Sequence, residues 1–250
     1  MTDPSGNPLS LRRPNVVVVG TGAIGTALAN SLVKNYPEGK VLLLGRREPE
    51  GLLPAIGLGQ IDATDASSIR ETATEVSDKL GVIHLLINTV GILHGGGLQP
   101  EKRLSELTPE ALQQAMAVNA LFLPQLAQGF SGALRHGEPA ILASLSARVG
   151  SITDNDLGGW YSYRASKAAH NMLLRTLSRE WRVSHRNLAI VALHPGTVAS
   201  PLSEPFVGAR YRNRVLAPEE CASHLLAVLG KLSPQDTGSF YDWRGEQIPW

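Results

Sequence analysis

Short runs of aliphatic residues alternate along the chain with longer segments in which apolar residues recur every three or four positions. The short runs are typical of buried strands and the longer segments of helices packed on a sheet. This alternation predicts an α/β fold, a doubly wound sheet of about seven parallel strands with helices on both faces. The expected strands are Val16–Val19, Val41–Leu44, Gly57–Ile61, Leu85–Ile87, Ala140–Leu145, Leu188–Leu193 and Ser239–Tyr241. The expected helices are Ile24–Lys34, Ala66–Lys79, Pro109–Leu134, Ser162–Val183 and Pro218–Leu229.

The chain contains no low-complexity tract, fixed-period repeat or long linker, so a single domain is predicted over residues 14–250. Residues 1–13 include Pro4, Gly6 and Pro8 without an apolar run, and we expect a flexible arm with no export signal. Of the 250 residues, 43% are hydrophobic, which is enough for a substantial core. The aliphatic runs are too short to cross a bilayer, so no membrane segment is expected.

The charge balance and the cysteine count argue against several function classes. A formal net charge of +1 gives no overall attraction for nucleic acid or an anionic membrane. Because Cys221 is the only cysteine, an intrachain disulfide and a zinc site built on several thiolates are excluded. The seven histidines show no ligand spacing, so no metal site is expected. A reducing, cytoplasmic setting fits this composition best.

A glycine-rich turn joins the first predicted strand to the first predicted helix, with the sequence Gly20-Thr21-Gly22-Ala23-Ile24-Gly25. In that context the pattern is typical of a Rossmann-like dinucleotide site. Gly20 permits the tight turn, Gly22 lets the backbone approach a pyrophosphate, and Gly25 lets the helix pack on the strand, while the helix N-terminus attracts the anion. A turn that merely needs glycine is the alternative, but the strand before it and the helix after it favour binding.

The end of the second predicted strand bears on the choice between the two nicotinamide dinucleotides. Gly45-Arg46-Arg47 follows it, with no carboxylate in the position that would bind ribose hydroxyls. A guanidinium group can hold a phosphate through two hydrogen bonds, so NADP(H) is favoured over NAD(H). The alternative is a solvated loop in which Glu48 neutralises one arginine. Asp62, after the third strand, is a candidate to accept from the adenine amino group or to cap the helix that begins near Ala66.

Tyr163 and Lys167 are four residues apart and therefore neighbours on one face of a predicted helix. A free tyrosine has a pKa near ~10, which makes it a poor acid or base at neutral pH. A nearby cation favours the phenolate, so we expect Lys167 to lower the pKa of Tyr163. The pair alone is common on solvated helices, and its position in a dinucleotide-binding fold is what gives it weight.

With these motifs in order, the chain resembles the short-chain dehydrogenase/reductase family from Val16 to Trp250. Within that family, Pro100-Glu101-Lys102-Arg103-Leu104 and the segment from Gly158 to Lys167 look most like the bacterial C-factor group and its carbonyl-reductase relatives. Further family landmarks are Asn88-Thr89-Val90-Gly91, Asn119 in mid-helix, and Pro195-Gly196-Thr197-Val198-Ala199-Ser200. The glycine turn departs from the family pattern by being one residue shorter.

The resemblance implies an NAD(P)(H)-dependent oxidoreductase that transfers hydride between nicotinamide and a small carbonyl or alcohol substrate. It implies that Tyr163 is the acid or base, that Lys167 binds the nicotinamide ribose, and that Asn119 holds a water that relays protons to Lys167. It also implies that a serine polarises the substrate oxygen. The remaining cofactor contacts that it implies are Asn88, Val90, Gly91, Pro195, Gly196, Val198 and Ser200.

The polarising serine is ambiguous in Ser144-Leu145-Ser146-Ala147. Alignment from the strand selects Ser146, whereas alignment back from Gly150 selects Ala147. Strand alternation places Ser144 and Ser146 on the same face, and Ser146 lies nearer the edge where ligands bind, so Ser146 is our prediction. Ser151 is the alternative.

Two further interpretations concern partners. Arg210–Arg214 is the one basic run with an aromatic residue, and its place before the last helix favours a lid over the site rather than a nucleic-acid surface. The helix that carries Ala169 and Met172 is used for dimers in the family, so a homodimer or homotetramer is expected. A dinucleotide-binding regulatory or signalling protein with little turnover remains the alternative to an enzyme.

Overall fold

A computed structural model describes residues 6–208 and 211–250. Seven parallel strands form one sheet in the order β3-β2-β1-β4-β5-β6-β9, which confirms the predicted fold class. The strands are β1 (Asn15–Val19), β2 (Lys40–Gly45), β3 (Gly57–Gln60), β4 (Leu85–Asn88), β5 (Ala140–Leu145), β6 (Leu188–His194) and β9 (Ser239–Asp242). Two short strands, β7 (Thr197–Val198) and β8 (Val215–Leu216), pair with each other outside the sheet.

Helices cover both faces of the sheet, as the hydrophobic pattern predicts. They are α1 (Ala23–Asn35), α2 (Ala66–Leu80), α3 (Pro109–Met116), α4 (Phe122–Leu134), α5 (Tyr161–Glu180) and α6 (Pro218–Leu229). Alternate residues of β1 point to opposite layers: Val17 and Val19 belong to one buried cluster with α2 and α4, and Val16 and Val18 to another with α1 and α6. No helix among the described residues is long and apolar enough to cross a membrane.

The single helix predicted over Pro109–Leu134 contains a turn of π-helix, Ala117–Leu121, between α3 and α4. A π-turn inserts a residue without changing the apolar spacing on either side, which is why the periodicity does not reveal it. Strands β7 and β8 are also absent from the sequence prediction because two residues are too few to set up an alternating pattern.

Part of the predicted flexible arm is packed against the domain. Pro8–Ser10 form a short 3-10 helix, and the buried Asn7 donates hydrogen bonds to the main-chain oxygens of Leu229 at 2.7 Å and Leu232 at 2.6 Å. These bonds attach the segment to the last residue of α6 and to the turn that follows it, which explains why this segment is held. Residues 1–5 of the arm lie outside the described residues.

Candidate active site

The strand order reverses at β1, which lies between β2 and β4. In open α/β sheets, ligands bind beyond the carboxyl ends of the strands at such a reversal, because neighbouring connections leave to opposite faces and open a crevice. The glycine turn follows β1, and Thr89–Gly91 follow β4, so both predicted cofactor segments lie at this crevice.

Two of the glycines are required by close packing. A Cβ on Gly20, whose φ is +112°, would lie 2.3 Å from Thr89 Oγ1, and a Cβ on Gly25 would lie 1.9 Å from the main-chain oxygen of Gly20. Gly22 differs, since nothing lies within 4 Å of its Cβ direction and it caps α1 without a side-chain hydrogen bond. The first N–H groups of α1 therefore face an open space, which suits a pyrophosphate.

Arg46 and Arg47 follow β2 and are exposed. Together with Thr21 and Gln60 they border a cavity of about 210 Å³ beside the glycine turn. Thr21 covers Gly45 closely, because a Cβ on that glycine would lie 2.4 Å from Thr21 Cγ2. Both arginines are thus exposed beside the glycine turn, and their contact with a 2′-phosphate stays a prediction.

Asp62 forms its own local turn rather than capping α2. Its Oδ1 accepts hydrogen bonds from Thr64 N at 2.9 Å and Thr64 Oγ1 at 2.7 Å, and these bonds are the main cause of a lowered Asp62 pKa. Asp65 caps the helix instead, accepting from Ser67 N and Ser68 N. The capping alternative for Asp62 is therefore wrong, and its contact with adenine stays a prediction.

Asn88, the last residue of β4, links two strands. Its Nδ2 donates to Ser144 Oγ of β5 at 2.9 Å, and its Oδ1 accepts from Val90 N at 3.0 Å. This arrangement fixes the turn through Val90 and Gly91 that lines the crevice. A Cβ on Gly91 would lie 3.3 Å from Lys167 Nζ and 3.4 Å from Asn119 Oδ1, so the turn passes directly over both side chains.

Asn119 lies in the π-helical turn and is buried. Its Oδ1 accepts from Ile92 N at 2.8 Å, and its Nδ2 donates to Ile92 O at 2.9 Å and Ser166 Oγ at 3.0 Å. The side chain thereby ties the loop after β4 to α5 one residue before Lys167. Its main-chain oxygen accepts a hydrogen bond from His170 Nδ1 at 3.0 Å, and the water that the resemblance implies stays a prediction.

Tyr163 and Lys167 meet on α5 as predicted, with Lys167 Nζ 5.9 Å from the centre of the tyrosine ring. The expected lowering of the tyrosine pKa is wrong for the protein alone. Burial raises the pKa of Tyr163 to about 12 and lowers the pKa of Lys167 to about 8. Desolvation disfavours both charged forms and here exceeds any attraction between phenolate and ammonium.

Ser146 follows β5 and its side chain is engaged. Ser146 Oγ donates to Asn171 Oδ1 at 2.6 Å, while Asn171 Nδ2 donates to Gly150 O at 3.2 Å and so fixes the orientation of the amide. A hydroxyl has one proton, so Ser146 must rotate away from Asn171 to donate to a substrate oxygen. Ser151 is also buried, and its Oγ accepts from Asp154 N at 3.2 Å.

The loop after β6 completes the crevice. Pro195 and Ser200 line it directly, whereas Val198 is buried in β7 and its main-chain oxygen accepts from Ser200 Oγ at 3.2 Å. Gly196 has a φ of +77°, and a Cβ there would lie 2.9 Å from Trp243 Cδ1. Glycine is therefore required where this loop turns beneath Trp243.

Two cavities meet at this crevice. The glycine-turn cavity, about 290 Å³, is bordered by the turn of α1, Thr89–Gly91 and Lys167. The aromatic cavity, about 380 Å³, is bordered by Trp160, Phe206 and Tyr211. The two cavities share six lining residues, which are Ile24, Ser146, Tyr163, Pro195, Ser200 and Leu202. Tyr163 thus faces both cavities, and of the predicted basic run Tyr211 and Asn213 border the aromatic one. Arg210 lies outside the described residues.

Sequence reasoning misses two residues that hold the tyrosine helix. The buried Glu101 accepts hydrogen bonds from both Ser162 N, at 3.1 Å, and Ser162 Oγ, and so caps α5, which has no capping side chain of its own. The other is His170, which is fully buried with no hydrogen-bond partner on Nε2. Burial, and secondarily the charge of Lys167, lowers the pKa of His170 to about 3. The capping role of Glu101 could not be found from a local sequence pattern, because Glu101 precedes Ser162 by 61 positions.

No group of three or more histidine, cysteine or acidic side chains within the described residues is arranged to hold a metal ion.

Comparison with known proteins agrees with this geometry. The family model for short chain dehydrogenases matches residues 14–209. C-signal from Myxococcus xanthus is 30% identical over 182 residues, which cover 73% of this chain and 100% of that protein. A 1-hydroxy-2-glutathionyl-2-methyl-3-butene dehydrogenase from Rhodococcus sp. is 29% identical over 190 residues, covering 76% of this chain and 78% of that protein.

Among solved structures, the NADPH-bound carbonyl reductase from chicken fatty liver superimposes with a TM-score of 0.82 at 28% identity, covering 96% of this chain and 100% of that one. The structure of a Burkholderia multivorans protein with bound NADP has a TM-score of 0.76 at 23% identity and supports the fold. The chain therefore belongs to the short chain dehydrogenase family and is an NAD(P)-dependent oxidoreductase.

Proposed function

We propose that this protein reduces a small carbonyl compound with NADPH and that Tyr163 donates the proton to the substrate oxygen. The observation that carries this proposal is the position of Tyr163, which faces both the glycine-turn cavity and the aromatic cavity. A group at such a junction can reach a substrate in one cavity beside a dinucleotide in the other.

The residues of the glycine-turn cavity fit a dinucleotide. Gly22, Ala23, Ile24 and Gly25 present the open N-terminus of α1 to a pyrophosphate, and Val90 and Gly91 border the same space. When bound there, a nicotinamide cofactor supplies or accepts the hydride. The exposed Arg46 and Arg47 support NADPH over NADH, since two guanidinium groups beside the turn suit a 2′-phosphate.

The protonation states suit reduction. Burial raises the pKa of Tyr163 to about 12, so the phenol keeps its proton at neutral pH and can donate it to an oxygen that develops negative charge. Lys167, as an ammonium beside the tyrosine ring, stabilises the phenolate that remains. Asn119 positions α5 against the loop after β4, and Ser146 lies within the same junction to polarise the carbonyl.

Replacing Tyr163 by Phe tests the proposed function. The variant should bind NADPH with nearly unchanged affinity and lose at least about 10²-fold in kcat/KM, because the ring still packs but the transferable proton is gone. Tyr161→Phe, on the exposed side of the same helix turn, is the matched control and should behave like the wild type. A wild-type protein that binds NADPH but reduces no member of a carbonyl panel would instead support the regulatory alternative.

We further propose that the protein is a homodimer or homotetramer and acts in the cytoplasm. Met172 on α5 is 65% exposed and Leu121 on the adjoining π-helical turn is 50% exposed, which supports burial of this face in a homodimer or homotetramer. Light scattering that shows only a monomer at micromolar concentration would contradict it. The single, buried Cys221 supports a reducing cytoplasm as the place of action.

A further inference from the structure

Trp160 has an exceptional backbone conformation. Its φ of 51° and ψ of 48° place it in the left-handed region, and it is the one non-glycine residue with positive φ among the residues that the structure describes. Bulky side chains rarely adopt this conformation, which persists only where surrounding contacts impose it. Such outliers occur most often at functional sites, so the contacts that hold Trp160 are informative.

Glu101 supplies those contacts. Its main-chain oxygen accepts a hydrogen bond from Trp160 N at 2.5 Å, and its buried carboxylate accepts from Ser162 on the other side of Tyr161. Arg164 Nε, one turn along, donates to the main-chain oxygens of Gly158 at 3.2 Å and Gly159 at 3.0 Å. The start of α5 is therefore fixed from both sides, which sets the direction of the Trp160 Cα–Cβ bond.

That direction leads into the aromatic cavity beside the proposed proton donor. The Trp160 ring lies 6.1 Å from the ring of Tyr163 at 72° and 5.1 Å from the ring of Phe206 at 60°, and all three residues line the cavity. A substrate whose carbonyl oxygen bonds to Tyr163 has its substituents within reach of this wall. Aromatic pairs at such separations are more stable than burial of the same area alone would make them.

Arg148, which lines the aromatic cavity, is paired with carboxylates of the protein. Arg148 Nη1 is 3.4 Å from Asp154 Oδ2, and Arg148 Nη2 is 3.4 Å from Asp242 Oδ2. Arg164 also lines the cavity, but its Nε donates to the main-chain oxygens of Gly158 and Gly159. The side chains in contact with the Tyr163 side of the cavity are the aromatic rings of Trp160 and Phe206, and this apolar wall suits an uncharged substituent.

We propose that Trp160, held by Glu101, determines substrate specificity by selecting uncharged carbonyl compounds that carry an aromatic ring near the carbonyl group. This inference rests on the proposed function and deepens it by naming the substrate class. Glu101 is a positioning residue, since it acts through Trp160 and the helix start.

The test compares 1-phenylpropan-2-one with 1-cyclohexylpropan-2-one, which have the same carbonyl group separated by one methylene from rings of similar size. With NADPH, the wild type should prefer the phenyl ketone by about three- to tenfold in kcat/KM. Trp160→Gly, which suits the left-handed backbone and so preserves the helix start, should bring that ratio close to one. Trp160→Phe should retain a preference, and Tyr161→Ala, beside Trp160 but outside the cavity lining, should leave the ratio unchanged.

Glu101→Gln separates positioning from general destabilisation. It should lower the ratio through a raised KM for the phenyl ketone, with the KM for NADPH unchanged. Two results would overturn the specificity proposal while leaving the proposed function intact. One is a wild-type ratio of kcat/KM, phenyl over cyclohexyl ketone, at or below one. The other is a Trp160→Gly variant whose ratio equals that of the wild type.

If the wild type reduces neither ketone, the failure concerns the proposed function, and calorimetric binding of both ketones to the NADP-loaded protein decides the specificity proposal. Tighter binding of the phenyl ketone that Trp160→Gly abolishes supports it. Equal or undetectable binding of the two overturns it.

Discussion

Lys167 Nζ donates a hydrogen bond to the main-chain oxygen of Leu145 at 3.1 Å, which joins helix α5 to the end of β5 at the junction of the two cavities. In residues 6–208 and 211–250, no carboxylate forms a salt bridge with this ammonium group. Lys167 is thus a buried ammonium group whose hydrogen-bond acceptor is a main-chain oxygen. Its burial has a functional and a thermodynamic consequence.

The functional consequence is a pH dependence of reduction. Because burial lowers the pKa of Lys167 to about 8, the ammonium form that stabilises the phenolate is lost above that pH. We expect kcat/KM for carbonyl reduction to be constant below about pH 7, to be halved near pH 8 and to fall further above it, as initial rates with saturating NADPH would show. In Lys167→Ala the residual rate should lack this fall. A wild-type profile that stays flat to pH 9.5 would contradict the assignment.

The thermodynamic consequence concerns stability. The folded-state pKa of Lys167 lies below its usual value of 10.5, so between about pH 8 and 10.5 the unfolded chain binds a proton that the folded chain does not, and stability rises with pH in that window. At neutral pH the buried charge costs stability, so Lys167→Met should raise the free energy of unfolding by on the order of 1–3 kcal/mol while activity is lost. Urea unfolding at pH 7 measures this, and a destabilised variant would contradict it.

The serine assignment is open to a direct comparison. Ser146→Ala should lower kcat/KM by on the order of 10²-fold, because a hydroxyl that polarises the carbonyl oxygen in the transition state is removed. Ser151→Ala should lower kcat/KM far less, since the Oγ of Ser151 accepts a hydrogen bond from Asp154 N. If Ser146→Ala is close to the wild type and Ser151→Ala is strongly impaired, the assignment is wrong. If both are close to the wild type, the Ser146 hydroxyl remains bonded to Asn171 during turnover.

Cofactor preference depends on the two arginines after β2. The double variant Arg46→Ala/Arg47→Ala should weaken NADPH binding by about 10- to 100-fold, which corresponds to the loss of charge-assisted hydrogen bonds to a phosphate. NADH binding should change little, and fluorescence titration of both cofactors measures the difference. Arg186→Ala, at the opposite edge of the sheet just before β6, is the matched control. Equal affinity of the wild type for the two cofactors would refute the prediction.

The buried His170 and the half-buried His194 predict a loss of stability in mild acid. Burial lowers the pKa of His170 to about 3 and that of His194 to about 4, from the usual 6.5. Below about pH 6.5 the unfolded chain takes up protons that the folded chain does not, so stability falls towards pH 4 with a slope of up to ~1.4 kcal/mol per pH unit for each group. In His170→Asn the amide nitrogen can still donate a hydrogen bond to Asn119 O. This variant should show a smaller slope of the free energy of unfolding against pH, measured by urea unfolding between pH 7 and 5. Replacement of His224, whose side chain is 39% exposed, should leave it unchanged.

The sheet could be predicted from sequence because its central strands are short aliphatic runs buried on both faces, such as Ala140–Leu145, whose predicted and observed bounds coincide. The start of α6 at Pro218 was equally predictable, since proline is favoured in a first helical turn. In the site, the proximity of Tyr163 and Lys167 follows from their spacing on one helix.

The rest of the site depends on contacts between distant segments. Glu101 reaches Ser162, and Ser146 reaches Asn171, through pairings that only the folded sheet creates. The direction of the Tyr163 pKa shift depends on how deeply the ring is buried, which helical spacing does not specify. Local patterns therefore identify these residue types but not their partners.

The bonds from Asn7 to Leu229 and Leu232 span 222 and 225 positions, almost the whole chain. During synthesis, the side chain of Asn7 has neither of these two partners until α6 and Leu232 have emerged from the ribosome. The seven-stranded sheet can therefore begin to assemble around β1 well before Asn7 forms its bonds to Leu229 and Leu232. Closure of this contact is then a late event in biogenesis, and a nascent chain stalled before α6 should still be open to a protease at residues 6–13.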